Sequence, residues 1–147
     1  MKVLAISSSG GHWVQLLRLH PAFEGCDVVF ATTNAGCRSQ VAPRKFHVIP
    51  DATRWNAFGL LHLAISVAGL VLRTWPDVIV STGAAPGYFA IRFGKLIGAR
   101  TIWIDSFANV EQLSLSGAKV QKYADLWLTQ WPHLASSHGP QFKGAVL

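Results

Sequence analysis

The chain has 147 residues, of which 50% are hydrophobic and 14% are charged; this length and composition predict one domain with its own core. Its net charge of +6 favours anionic partners such as phosphates or an acidic membrane surface. Its 13 Lys and Arg are scattered without a basic run, which argues against nucleic acid as a partner. Cys26 and Cys37 are too few for a disulfide framework, and no second Cys/His pair has zinc spacing, which predicts a reducing cytoplasm and neither a metal nor another cofactor.

Short β-rich runs alternate with helical patterns along residues 1–147. In chain order they predict a strand over Lys2–Ser7, a helix over Trp13–Leu19, strands over Asp27–Thr32 and Phe46–Ile49, a helix over Ala57–Leu72, a strand over Asp77–Ser81, a helix over Tyr88–Ile97, a strand over Thr101–Ile104, a helix over Leu115–Tyr123, and strands over Leu126–Thr129 and Gly144–Leu147. Such alternation implies right-handed crossovers and a parallel sheet covered on both faces. The sequence therefore predicts an α/β fold with a single doubly wound, Rossmann-like sheet.

Ligands of such sheets bind beyond the carboxyl ends of the strands, so we expect the functional site in the loops that follow those ends. The first predicted strand runs into Ser7-Ser8-Ser9-Gly10-Gly11-His12. The backbone amides at the start of the following helix, together with the hydroxyls of Ser8 and Ser9, favour a phosphate or phosphosugar. Gly10 and Gly11 allow a close approach, and His12 adds a titratable ring. An ordinary strand-to-helix turn is the alternative.

A second small-residue loop, Ser81–Gly87, also joins a strand to a helix. Its Thr82, Gly83, Pro86 and Gly87 predict a second group of hydroxyl and amide donors. Two such loops at neighbouring strand ends suggest one shared anion site for a diphosphate. The alternative is a tight turn that lets the helix pack on the sheet.

A carboxylate follows the next strand directly, in Asp105-Ser106-Phe107. At that edge Asp105 can act as a general base or bind sugar hydroxyls, with Ser106 beside it. It can equally cap a following helix.

The segment from Trp55 to Leu72 contains no Asp, Glu, Lys or Arg. A strand follows it at once and the run is short for a bilayer span, so we do not expect it to cross a membrane. Gly59, His62, Ser66 and Gly69 form one narrow stripe on a helical wheel. We interpret the stripe as packing on the sheet or on a partner helix.

The bulky remainder of this helix would then face a membrane interface or a partner. The residues predicted for this contact are Trp55, Phe58, Leu61, Leu72, Arg73 and Trp75. The alternative is a helix buried between the sheet and another protein domain.

Together, the motifs Ser7–His12, Val78–Gly87, Ile102–Ser116 and Tyr123–Trp131 resemble the asparagine-linked-glycosylation fourteenth protein family and its bacterial exopolysaccharide counterparts. The resemblance implies the amino-terminal half of a GT-B glycosyltransferase, with a separate chain binding the UDP-sugar. The pair transfers a sugar, GlcNAc in the eukaryotic case, to a polyprenyl- or dolichyl-diphosphate-linked acceptor. The resemblance implies transfer at the cytoplasmic face of the membrane. Eukaryotic members start with a membrane-anchoring helix that this sequence does not show, which predicts a bacterial type that binds peripherally through a surface such as the Trp55–Trp75 segment.

The resemblance also implies site residues. Those matching the family's motifs are Gly10, Gly11, His12, Gly83, Pro86, Gly87, Asp105, Ser106 and Phe107. Relatives carry Glu-Ser-Phe followed two residues later by Arg, whereas this chain has Asp105-Ser106-Phe107-Ala108-Asn109. The implied chemistry is an inverting transfer in which a base, His12 or Asp105, takes the proton of the acceptor hydroxyl.

Two other functions fit the sequence less fully. A non-catalytic scaffold would only tether the partner to the membrane. A free-standing dinucleotide-binding domain is disfavoured, because the first loop lacks the Gly-x-Gly-x-x-Gly spacing and Ala31-Thr32-Thr33 stand where that fold has an acid.

Overall fold

One sheet organises the molecule, and the computed structural model describes it over residues 1–146. Its seven strands are β1 (Lys2–Ile6), β2 (Asp27–Thr32), β3 (Lys45–Val48), β4 (Val78–Ser81), β5 (Arg100–Ile104), β6 (Leu126–Thr129) and β7 (Gln141–Phe142). All neighbours pair in parallel, in the order β3-β2-β1-β4-β5-β6-β7. The predicted doubly wound α/β fold is confirmed.

Helices cover both faces of this sheet. They are α1 (Gly11–Arg18), α2 (Ala57–Thr74), α3 (Ala84–Leu96) and α4 (Leu115–Lys119), with short 3₁₀ turns at His20–Phe23, Ala35–Gln40, Val120–Lys122 and Pro132–Leu134. One core layer contains buried residues of α2 and α3, and the other lies under α1 and the first two 3₁₀ turns. Because both faces are covered, the strands read as continuous apolar runs rather than alternating ones.

The long helix α2 has clear ends. The Asn56 side chain accepts a hydrogen bond from the backbone N–H of Gly59 at 2.9 Å and caps its first turn. Trp75 adopts a left-handed conformation with φ 42° after the last turn, and Pro76 prevents continuation. By length and composition α2 is the one helix of residues 1–146 that could cross a membrane, with mean hydropathy 1.7. Its inner face, however, belongs to the core of the sheet domain.

The predicted sheet contact of α2 is wrong. The face that packs on the sheet consists of Leu63, Val67, Leu70, Val71 and Thr74. In the small-residue stripe, His62 and Gly69 are exposed and Gly59 and Ser66 are half-buried. Burying branched aliphatic side chains removes more apolar area from water than burying glycine or serine, so the larger residues take the inner face. Contact of the stripe with a partner helix stays a prediction.

Three predicted elements differ from the structure by more than two residues. The helix predicted over Tyr88–Ile97 starts earlier, at Ala84, and the one predicted over Leu115–Tyr123 ends as α4 at Lys119 before a 3₁₀ turn. The last strand is Gln141–Phe142, not Gly144–Leu147; Leu147 lies outside the described residues. The N–H of Val146 instead donates to the Gln130 side chain at 2.8 Å, so a side-chain contact rather than strand pairing holds this residue.

Candidate functional site

The first two predicted loops meet because β1 and β4 are neighbours in the sheet. Nδ1 of His12 lies 2.9 Å from the Thr82 carbonyl oxygen, and the Thr82 hydroxyl donates to the His12 carbonyl oxygen at 2.6 Å. These reciprocal bonds fix the start of α1 against the start of α3. The predicted convergence of the two loops is therefore a feature of the structure.

The His12 ring has a defined tautomer in this arrangement. A carbonyl oxygen only accepts hydrogen bonds, so the neutral ring carries its proton on Nδ1 and leaves a lone pair on Nε2. Within residues 1–146 Nε2 has no hydrogen-bond partner, and the ring lines an open cleft. Gly83 makes this position possible, since a Cβ there would lie 2.4 Å from Nδ1 and its φ is +141°.

Two helix N-termini lie beside this histidine without side-chain caps. Gly10 precedes α1 and Gly83 precedes α3, and neither helix has an acidic residue in its first turn. Uncapped amide groups at a helix start favour an anion. Ala84 also lines the cleft and holds a left-handed φ of 66°, a strained conformation for a residue with a Cβ.

Gly87 fits α3 closely against the sheet, beneath this site. A Cβ at Gly87 would lie 1.9 Å from Oγ and 2.8 Å from Cβ of the buried Ser81. Replacing Gly87 with alanine is expected to destabilise the protein by about 1–3 kcal/mol, because this overlap outweighs the roughly 1 kcal/mol gained from better helix propensity. Urea unfolding measures the change. Gly69→Ala in α2, with nothing within 4 Å of the added methyl, is the matched control and is expected to be stabilising.

The carboxylate of Asp105 is inside the protein rather than on the cleft wall. Asp105 is 1% exposed, and its oxygens accept from the Ser114 N–H at 2.9 Å, the Ser114 hydroxyl at 2.6 Å and the Trp103 indole N–H at 3.3 Å. Ser114 in turn caps α4 by accepting from the Gly117 N–H at 2.8 Å. Asp105 therefore does not cap a helix itself; it holds the residue that does.

Two buried glutamines connect the same loops, and the sequence patterns did not single them out. Gln15 Oε1 accepts from the Phe107 N–H at 3.0 Å and from Gln130 Nε2 at 2.6 Å, while its amide nitrogen donates to the Ser106 hydroxyl at 3.1 Å. Gln130 Nε2 also donates to the Asp105 carbonyl oxygen at 2.9 Å. The only sequence signal for Gln15 was an amide on the buried side of a helix, next to Trp13 and Leu16.

The cleft at this edge has a volume of about 590 Å³. It is lined by His12, Ala84, Ser106, Ala108, Asn109, Gln112, Leu113, Ser114, Leu115, Ser116 and Ala118. Hydroxyl and amide groups dominate its polar part, and no carboxylate is among the lining residues. Such groups suit a sugar or a phosphate better than a cation.

The remaining predicted loop residues surround the cleft without lining it. Ser9 is bonded to Thr33, through its N–H and through its hydroxyl, both at 3.1 Å. The Ser8 hydroxyl points back to the Ser9 carbonyl oxygen at 3.5 Å. Gly10 and Gly11 are exposed at the start of α1, and Pro86 and Gly87 are buried in the first turn of α3. Binding by these residues stays a prediction.

The predicted contact residues of the long helix are on the outside of the molecule. Exposed fractions are 82% for Trp55, 87% for Phe58, 58% for Leu61 and Leu72, and 60% for Trp75. Ile65, which was not among the predicted contact residues, is 63% exposed on the same side of the helix. Single exposed apolar residues are ordinary, but a row on one helix marks a contact surface.

By its fold the chain is one Rossmann-like domain of the GT-B type. It superimposes on MurG of Acinetobacter baumannii with TM-score 0.74 at 15% identity, covering 96% of this chain and 44% of MurG. A UDP-N-acetylglucosamine 2-epimerase from Rickettsia bellii gives TM-score 0.73 at 11% identity over 99% of this chain and 45% of the epimerase. The chain thus spans less than half the length of either solved structure.

Sequence comparison narrows this class. The family described as "Oligosaccharide biosynthesis protein Alg14 like" matches residues 52–146, and the chain belongs to it. A UDP-N-acetylglucosamine transferase subunit ALG14 from Schizosaccharomyces pombe is 30% identical over 92% of this chain and 78% of the relative. The ALG14 subunit from Yarrowia lipolytica is 28% identical over 93% of this chain and 76% of the relative. The family resemblance inferred from the motifs is confirmed.

Proposed function

We propose that the chain is the acceptor-binding subunit of a UDP-N-acetylglucosamine transferase that works on a polyprenyl- or dolichyl-diphosphate-linked sugar in oligosaccharide or exopolysaccharide biosynthesis. The relatives are named as subunits of a UDP-N-acetylglucosamine transferase, which supports both this activity and a role as one subunit of the enzyme. The observation that carries the assignment to this site is the His12 ring, which is fixed by Thr82 and Gly83 with Nε2 free beside a cleft that contains hydroxyl and amide groups.

His12 supplies the general base in this proposal. Nε2 accepts the proton of the acceptor hydroxyl while that oxygen attacks the anomeric carbon of the donor, and the bond from this carbon to the UDP oxygen breaks with inversion. UDP leaves with the electron pair of that bond. Asp105 is the weaker candidate for the base, since its carboxylate is buried and takes three hydrogen bonds from Ser114 and Trp103. Its role here is to position the cleft.

The diphosphate of the acceptor lies over the uncapped starts of α1 and α3. The amides of the Gly10–His12 segment and of Ala84 supply fixed donors, which need no reorganisation when charge develops, while the Gly83 N–H donates to the Ser81 hydroxyl at 3.2 Å. Ser8, Ser9 and Ser106 add hydroxyls around them, while the buried Thr82 hydroxyl donates to the His12 carbonyl oxygen and holds the two helix starts together. This holds the acceptor hydroxyl in line with the donor sugar, a contribution of position and electrostatics.

The donor is bound by a separate chain. The names of the relatives, which are transferase subunits, support this division between two chains. A GT-B cleft lies between two Rossmann-like domains, and residues 1–146 form one of them. In this proposal the partner covers the open side of the cleft and brings the UDP-sugar to His12. The exposed apolar side of α2, around Phe58 and Leu61, contacts the cytoplasmic membrane surface, where a lipid-linked acceptor resides.

Reconstitution tests this half-enzyme function. The purified chain, its UDP-sugar-binding partner and the two together are each given UDP-[¹⁴C]GlcNAc and a polyprenyl-diphosphate-linked sugar in detergent. Label is expected in the lipid product only when both chains are present, because in this proposal one chain binds the acceptor and the other binds the UDP-sugar. Robust transfer by the isolated chain contradicts the proposal, and tight NAD binding by that chain would revive the dinucleotide-binding alternative.

A further inference from the structure

The hydroxyl of Ser106 lies on the wall of the cleft and has only one hydrogen bond left to make. Ser106 is 6% exposed, and it is one of the residues that line the cleft. Its oxygen accepts from Nε2 of Gln15 at 3.1 Å and from the N–H of Ala108 at 3.2 Å. These two donors occupy both lone pairs of the oxygen. Among residues 1–146 the hydroxyl proton has no acceptor, so this group can only donate, and the cleft is the open space beside it.

Gln15 determines this polarity, because its buried side-chain amide has one allowed orientation. Oε1 of Gln15 accepts from the Phe107 N–H at 3.0 Å and from Nε2 of Gln130 at 2.6 Å. Turning the amide over would place its NH₂ group against the backbone N–H of Phe107, and two buried donors facing each other are unfavourable. Nε2 of Gln15 therefore stays on the other side, where it donates to Ser106 and to the Gly11 carbonyl oxygen at 3.3 Å.

Gln130 is fixed in the same way. Its Nε2 also donates to the Asp105 carbonyl oxygen at 2.9 Å, and its Oε1 accepts from the Val146 N–H at 2.8 Å. A carbonyl oxygen only accepts and a backbone N–H only donates, so this amide cannot be turned over either. A buried network in which every amide atom has its partner holds one geometry. The bonds from Gln130 through Gln15 thus keep Ser106 a donor.

The cleft therefore presents two groups of fixed and opposite polarity. His12 offers the lone pair of Nε2, because its Nδ1 proton goes to the Thr82 carbonyl oxygen, whereas Ser106 offers a proton. No carboxylate, lysine or arginine is among the residues that line the cleft. A ligand that matches both groups brings a hydroxyl to His12 and an oxygen without a proton to Ser106. An ammonium group, which has donors and no lone pair, does not match Ser106.

On the basis of the proposed acceptor-binding function, on which this step rests, we propose that Ser106 donates its hydroxyl proton to a proton-free oxygen of the lipid-linked acceptor, and that Gln15 is the positioning residue that keeps this hydroxyl a donor. Two groups have the required chemistry: a diphosphate oxygen and the carbonyl oxygen of an N-acetyl group. The charged phosphate oxygen is the stronger acceptor. The uncapped starts of α1 and α3 favour an anion in the same cleft.

NMR titrations of the full chain test the Ser106 contact without requiring sugar transfer. Inorganic pyrophosphate and N-acetylglucosamine are added separately, and amide chemical shifts give each dissociation constant. Ser106→Ala, which removes only the hydroxyl, is expected to weaken pyrophosphate binding about tenfold, the size of one lost hydrogen bond. A loss of this size for N-acetylglucosamine alone identifies the carbonyl oxygen as the partner instead.

Gln15 is tested by a change of polarity rather than of size. In Gln15→Glu a carboxylate replaces the amide donor, so Ser106 turns its proton toward it and the cleft loses its donor; binding at pH 8 is expected to weaken about tenfold. At pH 5 the new carboxyl, whose protonated form is favoured by burial, donates to Ser106 again, and affinity is expected to return to within about twofold of wild type at that pH. Gln121→Glu, the same change at an exposed glutamine outside the cleft, is expected to match wild type at both pH values.

The outcomes separate the two residues from each other and from the transferase function. If wild type binds neither ligand, or if Ser106→Ala binds both as tightly as wild type, the Ser106 contact is overturned. If Gln15→Glu keeps wild-type affinity at pH 8, or if its loss persists at pH 5, the positioning role of Gln15 is overturned. If the reconstituted two-chain enzyme transfers no label while the Ser106-dependent titration is intact, the transferase function fails and the contact stands.

Discussion

Replacing His12 with alanine is expected to lower sugar transfer by the assembled two-chain enzyme about 10²–10⁴-fold, the range for loss of a general base. The effect is expected in kcat, because the ring removes a proton in the transition state and does not supply most of the acceptor's binding energy. Initial rates with varied UDP-GlcNAc and acceptor measure both parameters. The fold is expected to survive, since His12 is half-buried at the start of α1 and outside both core layers.

A second histidine provides the control for this experiment. His138 is exposed, and His138→Ala is expected to leave the rate unchanged. Co-purification of the partner with each variant shows whether assembly is intact. If His12→Ala assembles and transfers sugar at the wild-type rate, His12 is not the base. If Asp105→Ala does so too, the non-catalytic scaffold becomes the better description of this chain.

The meeting of the first two loops could be predicted because it follows from backbone rules. Carboxyl ends of adjacent parallel strands share one edge, and β1 and β4 flank the point where strand order reverses. The sequence predicted Gly83 as part of a loop of donors, but it did not predict the close contact there: the His12 ring lies against Gly83. Local patterns place loops well, but they do not specify which side chains touch.

The buried network around Asp105 could not be predicted for the same reason. Gln15 and Gln130 are 115 residues apart in the chain and join at 2.6 Å. A carboxylate after a strand is compatible with a base, a cap or a buried acceptor, and only the placement of Ser114 decides between them. Helix α2 is a second example. Its lack of charged residues predicted an apolar outer surface, but composition could not predict which aliphatic residues face inward, because that depends on how the helix packs on the sheet.

Replacing Asp105 with alanine is expected to destabilise the protein by about 2–4 kcal/mol, because it leaves the half-buried N–H and hydroxyl of Ser114 and the buried Trp103 indole N–H without their acceptor. The same change releases the start of α4 and the cleft wall from Asn109 to Ser116. Transfer activity is expected to fall with it. Urea unfolding gives the stability change, and initial rates of the reconstituted enzyme give the activity change.

Two further variants separate a positioning role for Asp105 from a catalytic one. Asp105→Asn keeps one acceptor oxygen, and Ser114→Ala removes the bonded hydroxyl while leaving the carboxylate intact. If Asp105 only positions Ser114, both variants lose stability and lose activity in proportion, and activity at lower temperature recovers with the folded fraction. A loss of about 100-fold or more in kcat confined to Asp105→Asn, with its free energy of unfolding unchanged, would instead identify this carboxylate as the base. The burial of Asp105 at 1% exposure, which keeps it from an acceptor hydroxyl in the cleft, favours the first result.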